Sequence, residues 1–193
     1  MPFISEVDLA FSYLDNECIG VTGTNGKTTT VTLLTHLFNF FNKRAYALGN
    51  IGTSLSAFAK RADSKGILIL ELSSFQLELM RKKRLSSSVL LNISADHQER
   101  YKVFEDYVKA KIRLQNCLRK GEKLFISKNL YDRYSRFFDK DKIRIIDLAE
   151  EEREALKELE KIKMIPFESL SSAYMIAREN RIFLKDFEKA CSV

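Results

Sequence analysis

Seven consecutive residues, Gly23-Thr24-Asn25-Gly26-Lys27-Thr28-Thr29, have the types and the spacing to hold phosphate groups. Glycines let backbone N–H groups turn toward phosphate oxygens, and the N-terminus of a following helix adds positive potential. Lys27 is placed to reach the β- and γ-phosphates of a nucleotide, and Thr28 to offer its hydroxyl to Mg²⁺. The spacing departs from the common G-x-x-x-x-G-K-T pattern, because Val21 stands five residues before Gly26 and Gly20 one position further back. The segment is therefore a phosphate loop of a particular subtype. A glycine-rich turn without a ligand is the competing reading, and the Lys-Thr pair directly after Gly26 weighs against it.

Three further segments carry chemistry of the same kind. Ile67-Leu68-Ile69-Leu70 ends in Glu71, and an acid directly after a buried strand can hold Mg²⁺ facing a phosphate loop. Gly49-Asn50-Ile51-Gly52 follows a second strand-like run, and Asn92-Ile93-Ser94-Ala95-Asp96-His97 a later one. In open parallel sheets, ligands bind outside the carboxyl ends of the strands. Four unusual segments at such ends point to one shared site. His97 by itself reads equally well as a surface histidine, and His36, inside the first long helix, has no partner motif.

The elements that must position these residues alternate in type. Strands are expected at Cys18–Thr22, Ala45–Leu48, Ile67–Leu70, Ser88–Ile93, Lys123–Ser127 and Ile143–Asp147. Helices are expected from Thr28 to about Asn42, with Val31, Leu34, Phe38 and Phe41 on one face, and over Thr53–Ala62, Phe104–Arg119, Leu170–Arg178 and Lys185–Cys191, with one after each of the last two strands. Doubly covered parallel strands read as continuous apolar runs, as Ile67–Leu70 does. The expected fold is α/β, a mostly parallel sheet flanked by helices. In the helix begun by Phe104, a step of about 100° per residue puts Phe104, Tyr107, Val108, Leu114 and Leu118 on the apolar face. Lys111 falls in the middle of that face and must snorkel, pair or be modified, because a bare buried ammonium is costly.

Bulk properties exclude several classes. A chain of 193 residues, 45% of them hydrophobic, suffices for one sizeable core. No apolar run approaches the length of a membrane span, and the N-terminus lacks the pattern of a signal peptide. Cys18, Cys117 and Cys191 lie far apart, and an odd count without C-x-x-C spacing argues against a disulfide framework or a zinc site, which suits a reducing cytoplasm. The net charge of +6 suits a polyanionic small substrate. The one dense basic run, Arg81-Lys82-Lys83-Arg84, reads as a solvated segment, with no accompanying nucleic-acid motif.

Thr22 to Thr28 resembles the nucleotide loop shared by Mur ligases and folylpolyglutamate synthetases. Glu71-Leu72-Ser73-Ser74-Phe75-Gln76-Leu77-Glu78 is more discriminating, and is similar to the Mur ligases that add D-glutamate. Gly49–Gly52, Asp96-His97 with Arg100-Tyr101, and Tyr107 through Ala110-Lys111 agree in order and spacing. The resemblance implies the P-loop NTPase-like central ATP-binding domain over residues 1–193, with the UDP-binding and D-glutamate-binding domains of the family lying outside it. It implies ATP and Mg²⁺ as cofactors, held by Gly23, Thr24, Asn25, Gly26, Lys27, Thr28 and Thr29. Thr28, Glu71, His97 and Lys111 would serve the metal sites, Lys111 as a lysine carbamylated by CO₂, with Lys27, His97 and Lys111 as the catalytic set. Asn50, Ser73 and Gln76 would touch the substrate, UDP-N-acetylmuramoyl-L-alanine. Its carboxylate would attack the ATP γ-phosphate to form an acyl phosphate, which the amine of D-glutamate then attacks. A cytoplasmic monomer acting on small molecules, without nucleic acid or membrane, is implied, and the isolated chain is expected to be inactive alone.

One departure stands out. The family's His-Asn…Asn pattern near the adenine has no counterpart between Met164 and Ala173, where Phe167, Glu168, Ser169, Ser171 and Ser172 stand instead. The alternative reading is a non-catalytic nucleotide-binding module that keeps the fold. A P-loop kinase or GTPase is disfavoured by the glycine spacing and by the lack of an N-K-x-D motif. Glu71, His97 and Lys111 occurring together favour a working ligase.

Overall fold

The computed structural model describes residues 4–61, 65–95 and 99–192. Six parallel strands form one sheet: β1 (Glu17–Thr22), β2 (Ala45–Gly49), β3 (Ile67–Glu71), β4 (Ser87–Leu90), β5 (Leu124–Ile126) and β6 (Ile143–Ile145). Their spatial order is β2-β3-β1-β4-β5-β6. Helices α1 (Glu6–Ala10), α2 (Lys27–Phe40), α3 (Leu55–Ala59), α4 (Ser74–Leu79), α5 (Phe104–Ile112), α6 (Lys128–Tyr134), α7 (Glu150–Lys163), α8 (Phe167–Glu179) and α9 (Leu184–Ser192) cover both faces. The expected α/β class and every expected strand are present, with ends shifted by a few residues.

Successive side chains of a strand point to opposite faces, and the two cores follow that alternation. Cys18, Leu68, Leu70, Leu90, Leu124 and Ile126 face one core, with side chains of α1, α3, α4, α5 and α6. Ile19, Val21, Ile69, Val89 and Phe125 face the other, with α2, α7, α8 and α9. Helix α8 is buried along almost its whole length, from Ser169 to Ala177, where Ser171, Ser172 and Ala173 are small enough to pack closely. Among the described residues no helix is long and apolar enough to cross a membrane.

Two expected elements are shorter than the sequence pattern suggests. The helix expected over Phe104–Arg119 ends at Ile112, and residues 113–117 form a 3-10 turn. Tertiary pairing explains the break. The Cys117 carbonyl accepts the N–H groups of Arg84 and Leu85, and Arg119 N–H donates to the Leu85 carbonyl, which brings Leu118 beside Leu85 at the approach to β4. Phe104, expected on the buried face, is 39% exposed, whereas Tyr107, Val108, Leu114 and Leu118 are buried as expected. The strand expected to reach Ile93 ends at Leu90, because Leu91 and Asn92 pair instead with Thr22 and Thr24 of the phosphate loop.

Helices α1 and α4 were not expected. Ser5 caps α1 by accepting the Asp8 N–H, and the buried Asp8 carboxylate accepts the backbone N–H groups of Arg81 and Lys82 at 2.7 and 3.1 Å. The basic run is thus docked by its backbone onto α1. The side chains of Arg81 and Lys83 are exposed, as a solvated segment requires, but Lys82 reaches Ser12 Oγ at 2.6 Å and Arg84 the Leu14 carbonyl.

Candidate active site

The phosphate loop bridges β1 and α2 at the carboxyl edge of the sheet, and Glu71 and Asn92 flank it from the strands on either side. Gly26 enters α2 in the left-handed region at φ +80°, a conformation that a side chain would strain, and a Cβ there would lie 3.0 Å from Ser169 Oγ. The loop is pinned on its β4 side. Thr24 N–H donates to the Asn92 carbonyl, and Thr24 Oγ1 lies 3.1 Å from the Tyr107 hydroxyl and accepts the Ser94 N–H. Asn25 N–H donates to Asn92 Oδ1 at 2.8 Å. Lys27 Nζ folds back onto the carbonyls of Gly23 and Thr24, at 3.1 and 2.9 Å. These are neutral acceptors of the loop itself, and anionic phosphates would compete for the same ammonium with stronger, charge-assisted bonds.

Across the loop, Thr28 Oγ1 donates to Glu71 Oε2 at 2.7 Å, and Asn50 Nδ2 donates to Glu71 Oε1 at 3.1 Å. Glu71 is 3% exposed and ends β3 at the heart of the sheet. Gly49, at φ +100°, allows the chain after β2 to press against the Glu71 backbone: a Cβ at this position would sit 2.4 Å from the Glu71 carbonyl oxygen. The Asn50 N–H also donates to that carbonyl. Two segments distant in sequence therefore converge on the carboxylate of a third. A hydroxyl and a carboxylate side by side are hard oxygen donors, the kind Mg²⁺ takes alongside water and phosphate.

Lys111 is 2% exposed, in agreement with its helical phase. Its Nζ donates to the Gly23 carbonyl at 2.7 Å and lies 4.7 Å from the centre of the Tyr107 ring. The side chain does not snorkel to solvent; it reaches the base of the phosphate loop. Ser73 and Gln76 engage each other. Ser73 caps α4 by accepting the Gln76 N–H, and Gln76 Oε1 accepts the N–H of Ser73 in return. That reciprocal capping box stood in the sequence as Ser-x-x-Gln, the signal by which α4 could have been found. Asn50, Ser73 and Gln76 all follow strand ends, but only Asn50 contacts Glu71. His97 lies outside the described residues. His36 bonds the Ala190 carbonyl at 2.8 Å, which ties α2 to α9 and is a structural role.

Sequence reasoning passed over Asn92 and Glu168 as site residues. Asn92 Nδ2 donates to the Asn25 carbonyl at 3.2 Å and to Glu168 Oε2 at 2.5 Å. Glu168, at the start of α8, lines a cavity of about 270 Å³ together with Leu91, Ile146, Leu148 and Phe167. Burial pushes its carboxyl above the ordinary glutamate range, against the opposing pull of the Asn92 hydrogen bond.

A parallel α/β sheet with a glycine-lysine-threonine loop at its carboxyl edge, an acid on the adjacent strand and a cavity beside them defines a phosphate-loop nucleotide-binding domain. Residues 21–182 match the family described as the Mur ligase middle domain, and the chain belongs to that family. The UDP-N-acetylmuramoylalanine–D-glutamate ligase of Protochlamydia amoebophila is 44% identical over 125 residues, 65% of this chain and 28% of that protein. The ligase of the same name from Lachnoclostridium phytofermentans is 30% identical over 194 residues, covering all of this chain and 38% of its own length. The chain thus spans well under half the length of these relatives. Among solved structures, a MurF from Acinetobacter baumannii superposes with a TM-score of 0.63 at 12% identity, over 96% of this chain and 48% of that one. Helicobacter pylori folylpolyglutamate synthetase gives 0.63 at 14% identity, over 95% and 58%. At such identities these two establish the shared fold.

Proposed function

We propose that this chain is the ATP-binding part of a ligase that joins D-glutamate to UDP-N-acetylmuramoyl-L-alanine in the cytoplasm, acting as a monomer on small molecules in peptidoglycan synthesis. The observation that carries the reading is the convergence of Thr28 and Asn50 on Glu71 directly across the phosphate loop. The names of the relatives supply the substrate class.

The work of this chain is positioning and neutralisation of charge, which dominate phosphoryl transfer. The loop amides and Lys27 hold the triphosphate, and Lys27 offsets charge on the transferred group. Thr28 and Glu71 would hold Mg²⁺, which when bound neutralises phosphate charge and polarises the group under attack. Asn50 orients the Glu71 carboxylate through Oε1. The muramoyl carboxylate attacks the γ-phosphate to give an acyl phosphate and ADP; the amine of D-glutamate then attacks the acyl carbon, and phosphate leaves. Lys111 fits a metal-supporting role only as a carbamate, because the free ammonium is a cation beside the site. His97, with the Lys111 carbamate, would serve a second Mg²⁺ near the acyl phosphate, and Ser73 and Gln76, at the head of α4, the muramoyl nucleotide.

The test is phosphate release by the gene's complete product in the presence of Mg²⁺. Release that requires ATP, the muramoyl-L-alanine nucleotide and D-glutamate together is expected. Equal release with L-glutamate, or release independent of the muramoyl nucleotide, would overturn the assignment.

A further inference from the structure

The pairing between β1 and β4 does not stop where the strands end. Leu91 N–H donates to the Thr22 carbonyl and Thr24 N–H to the Asn92 carbonyl, so the parallel ladder runs on into the phosphate loop. One residue further the partner changes from backbone to side chain. Asn25 N–H donates to Asn92 Oδ1 at 2.8 Å, and Asn92 Nδ2 donates to the Asn25 carbonyl at 3.2 Å. A carboxamide has the donor and the acceptor of a peptide group. Here it meets both polar groups of Asn25, as a neighbouring strand would.

The orientation of that carboxamide is set by its partners. Nδ2 also donates to Glu168 Oε2. Reversing the amide would turn its NH₂ against the Asn25 N–H, and its oxygen against a carbonyl and a carboxylate. Three bonds on one short side chain therefore hold the Asn25 carbonyl toward β4.

Peptide planarity carries this constraint to the next residue. In a trans peptide unit the C=O of one residue and the N–H of the next point in opposite directions, and no peptide bond among the described residues is cis. With the Asn25 carbonyl held on the β4 side, the Gly26 N–H must point away from it. Among the described residues this N–H has no partner, whereas the N–H groups of Thr24 and Asn25 are both taken by Asn92. Gly26 lies in the left-handed region at φ +80°, and Lys27 opens α2. A left-handed residue before a right-handed one turns successive N–H groups into one concavity, and the first N–H groups of a helix lack internal acceptors. The helix sets the direction of the Lys27 and Thr28 donors. That of the Gly26 donor depends on the peptide that Asn92 holds.

Resting on the reading of this loop as the phosphate site, we propose that Asn92 is a positioning residue for phosphoryl transfer: by holding the Asn25 carbonyl, it aims the Gly26 N–H at the phosphate chain of the nucleotide. A donor already aimed before the ligand arrives needs no reorganisation when it binds or reacts. Without the clamp the peptide between Asn25 and Gly26 is free to turn, and the donor must be ordered by the ligand itself.

Amide NMR on the chain reads that peptide directly. When Mg·ATP is titrated into the wild type, the Gly26, Lys27 and Thr28 amide resonances are expected to move together. In Asn92→Ala saturated with Mg·ATP, Lys27 and Thr28 should move as before, because α2 holds them, while the Gly26 shift falls to less than half. Calorimetry should show about tenfold weaker Mg·ATP binding in the variant, the scale of one hydrogen bond to a charged group. A general loosening of the loop would not single out Gly26. The wild-type comparison needs no variant, so it stands even if Asn92→Ala does not fold. A Gly26 amide that stays still in the wild type while Lys27 and Thr28 move, or that moves as far in Asn92→Ala, overturns the positioning role. Failure of the phosphate-site reading looks different, because then none of the three amides responds to Mg·ATP.

Discussion

Thr28 and Glu71, 43 residues apart, meet at 2.7 Å across the phosphate loop, the hydroxyl donating to the carboxylate. Each was expected separately as a magnesium ligand, one from the loop and one from a strand end. Their contact turns two independent expectations into one site and defines how the metal is to be tested. Glu71→Gln keeps the size of the side chain and removes its charge. It is expected to abolish most of the enhancement of ATP affinity by Mg²⁺ while leaving metal-free binding within about twofold, since a metal-ligand carboxylate matters only when the cation is present. Titrations with ATP in Mg²⁺ and in EDTA make the comparison, and an undiminished Mg²⁺ effect would exclude Glu71 as a ligand.

Among the described residues Lys27 bonds only its own loop, through the carbonyls of Gly23 and Thr24. Lys27→Ala should therefore cost the fold little, while Mg·ATP affinity drops about 10- to 100-fold, the value of a charge-assisted bond of roughly 1.5–3 kcal/mol. Calorimetric titration measures the affinity and thermal unfolding the stability. Equal ATP affinity in the two proteins would rule out the loop as the phosphate site.

Lys111 offers a chemical signature. In bicarbonate buffer with Mg·ATP, a carbamate carbon derived from ¹³CO₂ is expected on Lys111 by NMR and to be missing in Lys111→Arg. Its formation replaces the ammonium that bonds the Gly23 carbonyl with a neutral carbamate N–H, so the Gly23 and Thr24 amide resonances should shift together with it. A bare ammonium at saturating bicarbonate would return the chain to the reading of a nucleotide-binding module without ligase chemistry.

Stability should depend on Glu152, which links α7 to α8. It accepts the Tyr174 hydroxyl at 2.6 Å, Arg178 at 3.1 Å and the Ala149 N–H at 2.9 Å. Burial alone pushes its carboxyl up, but the bonds from Tyr174, Ala149 and Arg178 outweigh it and hold the group below the ordinary glutamate value. A depressed carboxyl stabilises the fold above its unfolded value of about 4.3 and loses that contribution as pH falls through the lower, folded value. Glu152→Ala should cost about 2 kcal/mol at pH 7, the scale of deleting a charged hydrogen-bond acceptor, and should flatten the acid limb of stability. Urea unfolding from pH 7 to pH 3 measures both, and parallel wild-type and variant curves would contradict the linkage.

Local rules determined a good deal of this protein. The phosphate loop, the parallel strands and the buried side of Lys111 were legible because they depend on short-range sequence: glycine and lysine spacing, continuous apolar runs and a helical period. The capping box of α4 was legible by the same rules and simply passed over. Tertiary structure decided what no local rule contains. The helix begun by Phe104 stops at Ile112 because Leu118 must lie beside Leu85. Asn50 turns to Glu71 because β2 and β3 are neighbours in register, with Gly49 opposite Glu71. Asn92 and Glu168, 76 residues apart, join the phosphate loop to the head of α8. Hydrogen bonds of that kind depend on strand order and on the docking of a late helix. A chain read one residue at a time carries their donors and acceptors but not the distances between them.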